Sequence, residues 1–359
     1  MNAARIAGMV SLMVGAGCAD LTQPVDPVLA DVEVARRTTI RVTDLGTLGG
    51  LTSNALALNT PAAGRPLLIV GESRDASGRN RAAYWYYDAV SGPAPAVALT
   101  TPGDEQSTAF AVNQAEEIAG WSYLVQIPRA IRWTPAGSAK FLGDFGGGSG
   151  QAAGINALGQ IAGYATAADA LSHLFLWDPQ PAPNGSLNDL GASGVDIQAV
   201  DVNLGGTIVG GARLGAGDLQ RAFVWRSPGS LAFLPDSGRQ SYATAVNDAG
   251  VIVGFVNTST VLQAVRWTPN PIGGYVLENL GLGSSQARDI NNAGEIVGSY
   301  RPGRYSTGFY LFGSVLKELP RLTYAAVASE INERGEIVGL SYYHNTYNHA
   351  VLWTNVREP

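Results

Sequence analysis

An asparagine set in a fixed pattern recurs seven times along the chain, at Asn59, Asn113, Asn156, Asn203, Asn247, Asn291 and Asn332. No other feature constrains the fold as much. Four residues before each asparagine stands an alanine (Ala55, Ala109, Ala152, Ala199, Ala243, Ala287 and Ala328), and the residue just before it is Leu, Val or Ile. Seven residues after it comes a glycine in six copies; in the first, Gly71 follows a short insertion. Each glycine is preceded, two residues earlier, by an isoleucine, and the unit then runs to Trp85, Trp133, Trp177, Trp225, Trp267, Phe312 or Trp353. Self-similarity at intervals of 41 to 54 residues marks a repeat architecture.

Each unit reads as four short antiparallel strands. In the first, A-x-x-[VIL]-N, strict alternation puts the alanine and the aliphatic residue on opposite faces, and a small alanine suits the crowded axis of a ring. N-x-x-G is a tight turn, because Asn and Gly tolerate left-handed backbone angles. The second strand is x-I-V-G, the third carries the aromatic, and the fourth ends in Leu-Gly or Leu-Pro. No helical period intervenes, so the unit has the size and content of a propeller blade. The tryptophans are expected to pack between blades. The asparagines are expected to shape turns rather than hold an ion, since their loops lack the alternating carboxylates of a calcium site.

The seventh unit has no fourth strand of its own after Trp353, whereas residues 39–45 (TIRVTDL) read as a fourth strand with no third before it. Pairing the two would leave no open edge at the seam. The expected fold is therefore all-β: a seven-bladed β-propeller of four-stranded antiparallel blades over residues 38–359. The N-terminal strand, about residues 39–46, completes the last blade.

Composition agrees with such a fold. The chain of 359 residues is 46% hydrophobic, enough for a sizeable core, and its 45 glycines supply turns. A net charge of −6, with Lys140 and Lys317 as the only lysines, argues against a nucleic-acid partner. Cys18 is the single cysteine, which excludes intrachain disulfides and cysteine-based zinc sites.

Residues 1–17 (MNAARIAGMVSLMVGAG) place Arg5 before an apolar stretch well short of the ~20 residues that span a bilayer. They read as a signal peptide. Cys18 follows Gly15-Ala16-Gly17, and this junction resembles a bacterial lipoprotein signal, which implies lipidation of Cys18; ordinary cleavage would instead leave a secreted protein. Residues 18–37 read as a flexible tether. The expected location is the cell envelope, with the lipid anchor as the only membrane contact, or the extracellular space.

The units A-R-D-I-N-N-A-G-E-I-V-G (287–298) and H-A-V-L-W (349–353) resemble the bacterial HAF extracellular repeat, named for a His-Ala-Phe signature. Variants of it stand at His173-Leu174-Phe175, Arg221-Ala222-Phe223, Arg129-Ala130-Ile131 and His349-Ala350-Val351. The resemblance covers residues 39–353 and implies an exported, repeat-built surface protein, with no reaction attached.

Motifs for chemistry are missing from the sequence: there is no G-x-S-x-G elbow, P-loop or H-E-x-x-H. Of the three histidines, His173 falls four blades from His344 and His349, so no metal or cofactor site is expected. Asp201, Asp289 and Glu330 share the position two before the repeat asparagine, which reads as polar channel lining; a polysaccharide hydrolase or lyase would need such carboxylates to converge. Loops between second and third strands vary while the strands do not, and loops on a rigid ring commonly carry function. Aromatics gather there and beside them: Trp121 and Tyr123, Tyr300 and Tyr305, then Tyr342, Tyr343, His344 and Tyr347. Such side chains suit recognition of a sugar or protein. The sequence thus points to a non-catalytic, monomeric binding scaffold for an envelope protein or glycan. A propeller hydrolase or lyase, or a self-associating surface protein, are the alternatives.

Overall fold

The computed structural model describes residues 39–357, apart from 102, 104, 105, 183, 228, 345 and 346. The expected signal peptide, Cys18 and the expected tether lie outside the described residues, as does the side chain of His344.

Seven antiparallel sheets follow one another around a ring, and together they form the seven-bladed propeller. Blade 2 shows the plan: Ser107–Val112, Ile118–Leu124, Ile127–Trp133 and Ala139–Phe141 pair in sequence order. Blade 1 differs in its outer strand, which is broken into Gly92–Pro93 and Val97–Ala98, both paired with Asn80–Asp88. Blade 7 is made of Ala326–Ile331, Ile337–His344 and Tyr347–Thr354, and its fourth strand is Arg41–Asp44 from the other end of the chain. The closure expected from the sequence is present.

The first strands depart from the expected alternation. In every blade the repeat alanine faces the repeat glycine (Ala55 and Gly71, Ala287 and Gly298), and one extra residue then bulges out before pairing resumes. The bulge resets the two-residue period. The alanine and the aliphatic residue three later therefore share a face, and the expectation of opposite faces is overturned. Ala55 and Leu58 enter one core cluster, Ala109 and Val112 the next. The alanine is small because it packs between blades, not because it crowds the axis. The glycine opposite it has no alternative: a Cβ on Gly298 would lie 2.1 Å from the carbonyl oxygen of Gln286, and the other six repeat glycines meet the same carbonyl at 1.9 to 2.2 Å.

The core is divided into seven clusters, each shared by two adjacent blades. Trp85, Trp133, Trp177, Trp225, Trp267 and Trp353 are buried in them, each against the preceding blade, as their repetition predicts. The indole N–H groups of Trp267 and Trp353 donate to the main-chain oxygens of Pro235 at 2.7 Å and Pro320 at 2.6 Å, at the ends of the preceding blades' fourth strands. Phe312 does not belong to this set. It is 49% exposed, and Leu311 pairs with Ile296 where the other blades place tryptophan. The aromatic in blade 6 is displaced by one residue from the core register.

The asparagines do more than shape turns. Each is buried, and in six copies the side-chain N–H donates to the main-chain oxygen of the next blade's asparagine. These links run from Asn113 to Asn156, Asn203, Asn247, Asn291, Asn332 and on to Asn59, at 3.0 to 3.2 Å. The amide oxygen meanwhile caps the asparagine's own turn, as where Asn332 Oδ1 accepts the N–H groups of Arg334 and Glu336. Only the step from Asn59, after which blade 1 carries its insertion, lacks this link among the described residues. A second clamp sits at the opposite end of the strand: Ser53, Ser107, Ser241 and Ser285 each accept, at 2.9 Å, the N–H of an alanine in the preceding blade.

Candidate functional site

The bulges have a functional consequence, because they turn one residue per blade toward the axis. Leu56, Phe110, Ala153, Val200, Thr244, Arg288 and Ser329 are the seven bulge residues, and all seven line one chamber of about 580 Å³ in the central channel. Five residues before the repeat asparagine, Gln151, Gln198, Tyr242 and Gln286 add a polar tier to the same chamber. Tyr164 and Phe255, from the second strands of their blades, complete the wall. At the other end the asparagine turns surround a smaller opening of about 200 Å³.

The polar tier is ordered. Tyr164 Oη donates to Gln151 Oε1 at 2.5 Å and Tyr242 Oη to Gln198 Oε1 at 2.8 Å, so two glutamines present their amide N–H groups. Gln198 Nε2 also donates to Asp196 Oδ1 at 2.9 Å. Tyr242 and Phe255 stack with centroids 5.8 Å apart and planes within 12°, which makes a flat aromatic platform. Burial pushes the Tyr164 hydroxyl up to about 12 and Tyr242 higher still, so both stay protonated donors.

Asp201, Asp289 and Glu330 line the chamber together, as their shared position predicts. Each accepts the N–H of the residue just before the next blade's asparagine: Val246 at 2.9 Å, Ile331 at 2.8 Å and Leu58 at 3.4 Å respectively. They are blade-to-blade clamps as well as lining. Desolvation raises all three, Asp289 to about 7 and Glu330 well above the ordinary carboxylate range; mutual repulsion adds to the rise in Asp289 and Glu330. Among the described residues no group of three or more His, Cys, Asp or Glu is placed to share a metal ion.

The aromatics named from the sequence are dispersed over the blades. Trp121 and Tyr123 contact each other edge to face in blade 2, with centroids 5.0 Å apart. Tyr300 contacts Phe309, a core residue, edge to face and donates to Glu318 Oε1 at 2.5 Å. Tyr305 meets Tyr324, and the Tyr324 N–H donates to Tyr342 O at 3.3 Å, so blades 6 and 7 do share one aromatic strip. Tyr343, 47% exposed, stacks on His349, and Tyr347 is 38% exposed. His344 pairs with Tyr347 through the strand register.

The basic position of the third strand acquires a clear role. Arg129, His173, Arg221 and His349 pair with Asp144, Asp189, Asp236 and Asp44 at 2.6 to 3.5 Å. Each of those aspartates also accepts the N–H two residues on, at Gly146, Gly191, Gly238 and Gly46, and so pins the connection to the next blade. Sequence reading missed both this Asp-x-Gly partner and the polar tier. The signal was present, since Gln151, Gln198, Tyr242 and Gln286 share one offset from the repeat asparagine.

No protein-family model matches the chain, and no curated protein matches its sequence. Solved structures do resemble it. Virginiamycin B lyase from Staphylococcus aureus aligns with a TM-score of 0.55 and 9% identity, over 89% of this chain and 99% of that one. Puromycin hydrolase aligns with a TM-score of 0.55 and 13% identity over 86% of this chain, and the acylaminoacyl peptidase of Pyrococcus horikoshii with 0.53 and 12% over 86%. The chain spans about half the length of these last two, 55% and 52%. At such identities what is shared is the propeller fold.

Proposed function

We propose that this chain is an exported binding scaffold of the bacterial cell envelope, tethered through lipid on Cys18, and that its ligand sits in the chamber of the central channel. A glycan end is the ligand class that fits. The observation that carries the reading is the lining itself: amide groups, tyrosine hydroxyls and the Tyr242–Phe255 platform converge on one cavity of ligand size. Sugar rings stack on flat aromatic faces while amides serve their hydroxyls. The reading as a binder rather than an enzyme is supported by the three carboxyls, each engaged by a neighbouring blade's amide. Kinship with HAF-type repeat proteins belongs to the same proposal, supported by the repeated pairing of the signature's basic residue with an aspartate.

The test is a screen of the purified protein against glycan and envelope-protein arrays. Saturable glycan binding that is lost in Tyr242→Ala supports the reading. Turnover of a polysaccharide, lost in Asp289→Asn or Glu330→Gln, would replace it with the hydrolase or lyase alternative. For the anchor, mass spectrometry of the membrane fraction should find acylated Cys18, and Cys18→Ser should release the protein; an unmodified N-terminus in the soluble fraction contradicts it.

A further inference from the structure

Arg288 is the bulge residue of blade 6, so the distortion that breaks the strand's alternation also carries this side chain to the lumen. It is the only cation among the residues that line the chamber. Three carboxyls line the same space, yet Arg288 makes no ion pair or hydrogen bond with any described residue. Asp201, Asp289 and Glu330 instead accept N–H groups from the next blade's main chain. The surrounding protein lowers the Arg288 pKa by desolvation, but a guanidinium remains charged at neutral pH. Its side chain is nonetheless exposed to the water of the lumen, so the guanidinium fork is open to a ligand that brings a carboxylate partner.

We propose that the chamber selects an acidic sugar, a glycan end bearing a uronic acid carboxylate, with Arg288 as its anchor. This rests on the reading of the chamber as a glycan site. A guanidinium grips a carboxylate through two parallel hydrogen bonds. Gln286, two residues earlier on the same strand, and the Gln151 amide, whose oxygen is taken by Tyr164, supply donors for ring hydroxyls. The Tyr242–Phe255 platform receives the ring face. A singly charged carboxylate suits this lumen better than a doubly charged phosphate, because Arg288 is the one cation in the lining and balances a single negative charge.

The experiment titrates the protein with tetragalacturonate, a glucuronate-containing tetrasaccharide and their neutral counterparts of the same linkage, in the wild type, Arg288→Gln, Arg288→Lys and Tyr242→Ala. At least one acidic ligand should bind roughly tenfold or more tightly than its neutral counterpart. Arg288→Gln should erase that preference and leave neutral affinity within about twofold, which also shows that the variant is folded. Arg288→Lys should retain part of it, since it keeps the charge and loses the fork. Galacturonate alone, bound as tightly as the tetramer, would assign the site to a free carboxylate and overturn the glycan form of the proposal. Neutral and acidic chains bound equally, with Tyr242→Ala abolishing both, would overturn the role of Arg288 and keep the glycan site. No binding of any sugar would remove the glycan site itself.

Discussion

The side-chain amide of Asn332 donates to the main-chain oxygen of Asn59 at 3.0 Å, joining the last blade to the first across 273 residues of chain. The same amide group serves its own turn through Arg334 and Glu336. Asn332→Ala therefore strands several buried groups at once and should cost about 2–3 kcal/mol. Asn59→Ala removes one acceptor, for the Leu68 N–H, and should cost about 1 kcal/mol. Urea unfolding of both variants checks the order; equal losses would mean that the inter-blade link contributes nothing.

The seam makes a second demand. Without residues 39–46, blade 7 loses Arg41–Asp44 and exposes the edge of Tyr347–Thr354. An unpaired, largely apolar strand edge invites association. The truncated protein should run as aggregates on size exclusion where the intact protein runs as a single species, and a well-behaved truncated monomer would argue against closure by this strand.

Trp267 is fully buried and Phe312 is 49% exposed, although both stand at the aromatic position of their repeats. Trp267→Ala should lower stability by about 3–5 kcal/mol. Phe312→Ala should change it by no more than about 0.5 kcal/mol. A large loss at Phe312 would restore it to the core register that the structure gives to Leu311.

Gly298→Ala would drive a Cβ to 2.1 Å from the carbonyl oxygen of Gln286, whereas Gly303 has open space around it. The first substitution should cost at least about 1–3 kcal/mol and the second little. Thermal unfolding of the pair separates steric need from glycine's general flexibility.

Burial raises the folded-state pKa of Asp201, Asp289 and Glu330 above their unfolded values, Asp289 to about 7. The folded protein then holds more protons than the unfolded chain between about pH 4 and pH 7, so stability contributed by these groups is present at low pH and falls as pH rises through that window. Asp289→Asn should flatten the slope. Stability that instead rises across the window would show these carboxyls to be charged and well compensated.

The blade count, the closing strand and the turn asparagines were legible because each is written seven times or forced by what one unit lacks. The chamber was not. The bulge residues Leu56, Phe110, Ala153, Val200, Thr244, Arg288 and Ser329 share no chemistry, so nothing in their types announces an extra residue, and strict alternation then sends Ala55 and Leu58 to opposite faces. The link from one asparagine to the next was hidden for another reason: turn-forming residues look alike whether or not their amide reaches a neighbour 41 to 47 residues away.

The most direct test of the chamber as the ligand site is the Kd of the array's best glycan for three proteins: the wild type, Tyr242→Ala, and the double variant Tyr343→Ala with Tyr347→Ala at the strand ends flanking the second-to-third-strand loop of blade 7. Tyr242→Ala should weaken binding at least tenfold, and the loop variant should stay within about twofold of wild type. The reverse result, loss in the loop variant with Tyr242→Ala unaffected, would move the site from the channel to the exposed tyrosines and contradict the account.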